Sequence, residues 1–281
     1  MSTLATAGKK LQFWMLLTVA SLALVHVKLT WSIDDSNLLF SSLVFWPAAI
    51  VLAQEVSKRR ANVSMWMRLS GVLLLAATLF EGVSRRGDFL YLYPFLAGLG
   101  VVIVFFGFHG IGHYWKSLLA LFALGAFEVV LFSTVNPAPL TARFSDILLW
   151  YAGYDVLRDG IWLHLPGGSV EVVQSCSGLR AMTRLFSMSL LAILCLPRHW
   201  SGQQITLLLF ISIALGFCSN AIRVALLAIL NASGHPVAFD SLHGGNTSQL
   251  FSIASVLLLM MVIWWMIYQP FNRSPNKFDN L

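Results

Sequence analysis

The chain has 281 residues, of which 58% are hydrophobic and only 11% charged, with a formal net charge of +6 and a mean hydropathy of +0.77. Soluble domains carry about 25% charged residues, so the composition excludes an ordinary water-soluble fold and points to an integral membrane protein. The pI near 9.5 calls for no nucleic-acid partner, because basic loops between membrane spans account for it.

A membrane-crossing helix needs roughly 20 mostly apolar residues. Runs of this kind cover residues 11–29, 38–54, 66–80, 89–106, 117–132, 179–196, 204–230 and 250–268, the third and fifth being short. The pattern predicts an all-α polytopic membrane protein with about eight transmembrane helices, organised as one domain. Residues 1–132 form its N-terminal helices, 133–178 an extracytoplasmic insertion and 179–268 its C-terminal helices.

With the N-terminus inside, Lys9, Lys10, Lys58, Arg59, Arg60, Lys116, Arg198, Arg273 and Lys277 fall on the cytoplasmic side. Only Arg85, Arg86, Arg143 and Arg158 fall opposite. The bias of Lys and Arg toward the cytoplasm then places both termini there and puts 133–178 and 231–249 on the outer face. Lys9-Lys10 before an apolar run resembles a signal peptide, but no small-x-small cleavage site follows before Lys28, so a retained first span is expected. The Asn-x-Ser/Thr matches at Asn62, Asn231 and Asn246 are chance-level. Glu128 is an ionisable residue deep in an apolar run, where a structural partner is expected.

Residues 133–178 form the one long polar insertion. Asn136-Pro137-Ala138-Pro139 ends the preceding helix, and residues 144–151 read as a short interfacial helix with Trp150 and Tyr151 at headgroup depth. Asp159-Gly160 is a hairpin signal, and Pro166-Gly167-Gly168 turns the chain into a β-branched strand at 169–173. A small antiparallel sheet is therefore expected on the outer face, leading into Cys176.

Three cysteines make no disulfide framework. Cys195 and Cys218 sit inside apolar runs as small core residues. Cys176 instead follows a polar stretch, in Gln174-Ser175-Cys176-Ser177-Gly178, where a helix begins. Unpaired N–H groups and the positive end of a helix dipole favour thiolate there. The amides around Ser177 and Gly178 are also candidates to receive a substrate oxyanion. A capping turn that merely contains a cysteine is the alternative.

Arg180 and Arg184 follow on one helix face, either snorkelling to the interface or pointing into a polar cavity. Arg180, one turn after Cys176, is the stronger candidate. Arg223 lies about 27 Å along its helix from Ile205, near the outer boundary, with Asn220 on the same face. Asn220 is suited to holding the guanidinium or binding substrate backbone. Arg223 is suited to stabilising a thiolate or an oxyanion, against the alternative of snorkelling.

His243 stands in a polar loop with Asn246, just before the last span, and an imidazole can accept and return a proton near neutral pH. His235, beside Pro236, and His164, in the hairpin, are rivals. His26, His109, His113 and His199 read as cytoplasmic or as lying in lipid-facing spans. His109 and His113 share helical spacing but lack carboxylate or Cys companions, so no metal site and no cofactor is expected.

In order and spacing, Cys176-Ser177-Gly178-Leu179-Arg180, Asn220-x-x-Arg223 and His243 resemble the exosortase/archaeosortase family of membrane transpeptidases. The likeness runs over about residues 150–268 and includes the lead-in Arg158-Asp159-Gly160 and Leu165-Pro166-Gly167-Gly168. Gln174 departs from the pattern, since many relatives carry an acidic residue two before the cysteine. His243-x-Gly245-x-x-Ser248 is similar to the cyanobacterial branch, the cyanoexosortases, where other relatives have Tyr-Gly-Trp after the histidine.

The resemblance implies a cysteine protease-transpeptidase acting on membrane-anchored proteins with a C-terminal sorting signal of the PEP-CTERM kind: a short motif, a transmembrane helix and a basic tail. It makes Cys176 the nucleophile, Arg223 its electrostatic partner and His243 the proton-transfer residue. The product would be a thioester passed to water or to an acceptor of unknown identity. Two other classes fit the residues: a membrane acyltransferase working through a Cys thioester, and an anion transporter using Arg180, Arg184 and Arg223. A transporter would carry inverted repeats, and the sequence contains none. A structural scaffold would have no use for Cys176.

Overall fold

Within a bilayer no water satisfies a backbone N–H or C=O, so long apolar segments fold as helices that pair these groups internally. The computed structural model bears this out for residues 2–54, 56, 63–84 and 87–268, which are those described below. The side chains of residues 2–10 and of Asn246 fall outside that description, as do Lys58, Arg59, Arg60, Asn62, Arg85, Arg86, Arg273 and Lys277.

Among the described residues, seven helices are long and apolar enough to cross a membrane: Leu11–Ser32, Ser36–Gln54, Met65–Ser84, Phe89–Phe106, Trp115–Thr134, Gly202–Ala232 and Thr247–Tyr268. The eighth expected span forms a helix too, Leu179–Cys195, but it has 17 residues and carries Arg180 and Arg184 in its first two turns. The chain divides into two compact units, one of residues 1–136 with 190–198, the other of residues 137–189 with 199–281.

The first unit contains α1 (Ser2–Ser32), α2 (Ser36–Gln54), α3 (Met65–Ser84), α4 (Phe89–Phe106), α5 (His109–His113), α6 (Trp115–Leu121) and α7 (Phe127–Thr134). A π-turn, Phe122–Ala126, joins α6 to α7, so the expected fifth span is one segment with a bulge. Helices α3 and α4 approach at glycines: a Cβ on Gly71 would sit 2.7 Å from the Val104 side chain. Small residues at such crossings let backbones come close.

His26 corrects the lipid-facing expectation, for it is fully buried between α1, α2 and α4. Its Nδ1 accepts from the Trp46 indole at 3.2 Å, its Nε2 lies 3.0 Å from the Leu90 carbonyl, and its ring stacks on Tyr93. An indole only donates, so Nδ1 is the acceptor and Nε2 carries the proton that the carbonyl takes. Glu128 is half-buried and engaged, in keeping with the expectation of a partner.

The second unit holds α8 (Ala138–Tyr151), β1 (Leu157–Asp159), β2 (Trp162–Leu165), β3 (Gly168–Glu171), the start of α9 (Leu179–Cys195), α10 (Gly202–Ala232), α11 (Pro236–His243) and α12 (Asn246–Tyr268). The three strands pair antiparallel in the order β1-β2-β3, with Arg158 opposite Leu163 and Leu163 opposite Val170. Both turns follow the expected chemistry. Gly160 has φ +59 after Asp159, and Gly167 has φ +105 after Pro166.

Alternation along β2 turns Leu163 and Leu165 inward, where with Val172 they pack on Ala138, Ala142 and Leu149 of α8 and on Val224, Ala225 and Ala228 of α10. The Pro166-Gly167-Gly168 turn lies on the end of α10. A Cβ at Gly167 would collide with the Ala232 carbonyl, and Asn231 donates its side-chain amide to the Ser169 carbonyl at 3.0 Å.

The start of α9 runs antiparallel to α10. Gly178 abuts Asn220, and a Cβ on Gly216 would lie 2.7 Å from the Met182 backbone, so the chain passes down one helix and up the other. That reversal returns residues 220–223 to the level of Cys176 even though α9 is short.

Candidate active site

The sheet delivers the chain to the cysteine. Val172 is buried in the core, and residues 174–176 form a single 3₁₀ turn in which the Cys176 N–H bonds to the Val173 carbonyl at 2.9 Å. The Ser177 N–H bonds to the Gln174 carbonyl at 3.1 Å. Gly178 follows with φ +85, and α9 starts only at Leu179. The expectation that Cys176 itself opens a helix is therefore corrected. The thiol sits on a tight turn before the helix, and the amide of Ser177 is already engaged.

Two helices pin this turn from either side. Asn220, on α10, donates its amide to the Cys176 carbonyl at 2.7 Å. Thr141, on α8, donates its hydroxyl to the Ser177 carbonyl at 2.7 Å. Asn220 thus holds the cysteine turn rather than the Arg223 guanidinium. It also accounts for the glycine beside it, since a Cβ on Gly178 would lie 2.8 Å from the Asn220 side chain, on a backbone that L-residues disfavour. Ser145, one turn on from Thr141, donates to the Ala221 carbonyl at 2.9 Å and fastens α8 to α10.

Around this turn the structure gathers the other expected groups. His243 is the last residue of α11, and its Nε2 lies 3.5 Å from the Cys176 Sγ. Its ring leans on Phe239 at 5.5 Å between centroids. The thiol is nearly covered, at 9% exposure, while the imidazole reaches solvent. Arg223 follows Asn220 by one turn on α10 and donates Nη1 to Ser248 Oγ at 3.1 Å. Its Nε is buried with no hydrogen-bond partner among the described residues, as is Ser177 Oγ. A guanidinium nitrogen left uncommitted one turn from the residue that holds the cysteine turn is free to bind an incoming oxygen.

Arg223 also lines a small open cleft together with Arg184, Asn220, Ser219, Ser248 and Ser252. Arg184 is thus the arginine of α9 that shares a wall with Arg223. Arg180, favoured from spacing alone, is exposed and absent from that lining. Gln174 is half-buried and engaged. Of the rival histidines, His235 precedes α11 as its N-cap residue, and His164 pairs with Ser169 Oγ at 2.7 Å and stacks on Trp162. Cys218 is half-buried and Cys195 exposed, and neither is in a disulfide.

Thr141, Ser145 and Ser248 were not among the expected site residues. Ser248 carried a weak signal, being a hydroxyl at the start of the last span. Thr141 and Ser145 carried none, because their partners lie 36 and 76 residues away.

No curated protein and no solved structure matches this chain. A family model described as Transmembrane exosortase (Exosortase_EpsH) matches residues 31–260, which takes in the sheet, the cysteine turn, Arg223 and His243. A match over most of the chain, joined to its multi-pass helical fold, establishes that this protein belongs to the transmembrane exosortase family.

Proposed function

We propose that this exosortase is a cysteine peptidase-transpeptidase that cleaves a C-terminal sorting signal from exported, membrane-anchored proteins. The observation that carries the reading is the 3.5 Å approach of His243 Nε2 to Cys176 Sγ. It is the nucleophile–base distance such chemistry requires, allowing for the larger sulfur atom. A scaffold or a transporter has no need of it.

The Cys176 proton passes to His243 as sulfur attacks the scissile carbonyl carbon, and the π pair of the carbonyl moves onto oxygen. Arg223 stabilises that charge. Collapse of the tetrahedral species expels the amine, which takes the proton back from His243, and leaves a thioester on Cys176. Water or an acceptor nucleophile then releases the acyl group. The substrate's own helix enters laterally, confinement to one membrane raising its local concentration. Its basic tail stays in the cytoplasm, and the site faces the opposite side.

The test is co-expression with a protein from the same genome that carries the three-part tail, followed by mass spectrometry of the product. The wild type is expected to remove the tail. Cys176→Ala is expected to leave it intact while inserting into the membrane at unchanged level. Complete processing by Cys176→Ala would refute the assignment.

A further inference from the structure

The tetrahedral oxygen needs donors close to the sulfur, and the nearest two amides are occupied. The Cys176 N–H is held by Val173 and the Ser177 N–H by Gln174. The next amide belongs to Gly178, which is buried, and among the described residues no acceptor is placed on its N–H. Gly178 directly precedes α9, and the N–H groups at a helix start have no partner within the helix, so this amide is left open two residues from the sulfur.

Its direction is set from α8. The Ser177 carbonyl and the Gly178 N–H belong to one peptide, and the chain contains no cis bonds among its described residues, so the two groups point opposite ways. Thr141, itself fully buried, fixes that carbonyl toward α8 at 2.7 Å and so turns the amide away from α8. Asn220 fixes the preceding peptide in the same manner and lies against the Gly178 Cα, so that only glycine fits beneath it.

We propose that the Gly178 N–H is the oxyanion donor of the acyl-transfer step and that Thr141 is the positioning residue that aims it. The proposal rests on the reading of Cys176 as nucleophile. As the S–C bond forms and the carbonyl pair moves onto oxygen, that oxygen accepts from the Gly178 amide on one side and from Arg223 on another. When the C–N bond breaks, the pair returns to the carbonyl. Thr141 gains and loses no proton; its hydroxyl keeps the peptide from rotating.

Two probes separate aiming the amide from merely holding the sulfur, both applied to the full-length enzyme in membranes. A peptide aldehyde built on the cleaved sequence forms a tetrahedral adduct whose oxygen sits where the oxyanion would. Iodoacetamide alkylates the thiol at a saturated carbon and develops no oxyanion. Relative to wild type, Thr141→Val is expected to bind the aldehyde about a hundredfold more weakly, the scale for loss of one oxyanion donor. Its alkylation rate at Cys176 should be unchanged. Thr141→Ser, which keeps the hydroxyl, is expected to restore aldehyde affinity. Equal affinity in wild type and Thr141→Val would overturn the proposal, and so would a parallel fall with both probes. A wild type whose Cys176 resists both reagents would instead remove the nucleophile reading on which it stands.

Discussion

At the scale of single residues, the site divides into groups with polar atoms left for a substrate and groups that hold the cysteine turn. Arg223 belongs to the first kind, with one nitrogen committed to Ser248 and its buried Nε uncommitted. Arg223→Lys keeps the charge but loses the planar fork, so cleavage of the co-expressed substrate is expected to fall by about 100-fold or more. Ser248→Ala removes only the anchor and should lower the rate by about tenfold or less, on the ~1 kcal/mol scale of a single hydrogen bond. A Lys variant working at the wild-type rate would reduce Arg223 to a helix anchor. The types and spacing of Cys176, Asn220, Arg223 and His243 were legible in the sequence, because chemistry restricts which side chains can serve and helical periodicity restricts where. The role of Asn220 was not. Its partner is a backbone carbonyl 44 residues away, and no sequence pattern encodes that contact.

At the scale of elements, the crossing of α9 and α10 depends on Gly216, over which the Met182 backbone passes. Gly216→Ala forces a methyl into that contact and is expected to destabilise the helix pair by about 1–3 kcal/mol, seen as a lower melting temperature in detergent. Gly202→Ala, at a position with open space around it, should melt close to wild type. Most element positions were readable from hydropathy: the fourth helix was expected at 89–106 and is Phe89–Phe106, and the turn residues announced the sheet. Two local features were hidden. The cysteine turn closes as a 3₁₀ turn because its neighbours cap it, a tertiary effect. His26 looked lipid-facing because periodicity shows which face is apolar without showing which helices cover it.

At the scale of the whole molecule, the charge bias of the loops carries the expected orientation. Green fluorescent protein fused to the C-terminus should fluoresce, since it folds in the cytoplasm, and a periplasmic phosphatase reporter placed in the β1–β2 turn should be active. The opposite pair of signals would put the cysteine turn on the cytoplasmic side and discard the export reading. Helix α10 has a further consequence. It touches α8, β2, β3, α11 and α12, and it carries Asn220 and Arg223 one turn apart. It therefore serves as a ruler against which these elements of the second unit are set. One alanine inserted between Ala221 and Ile222 would swing Arg223 about 100° around the axis and lift it about 1.5 Å, while leaving Asn220 and the Cys176 turn where they are. Such an enzyme should still be alkylated at its thiol yet be unable to complete acyl transfer, dissociating the presence of a reactive sulfur from the power to use it.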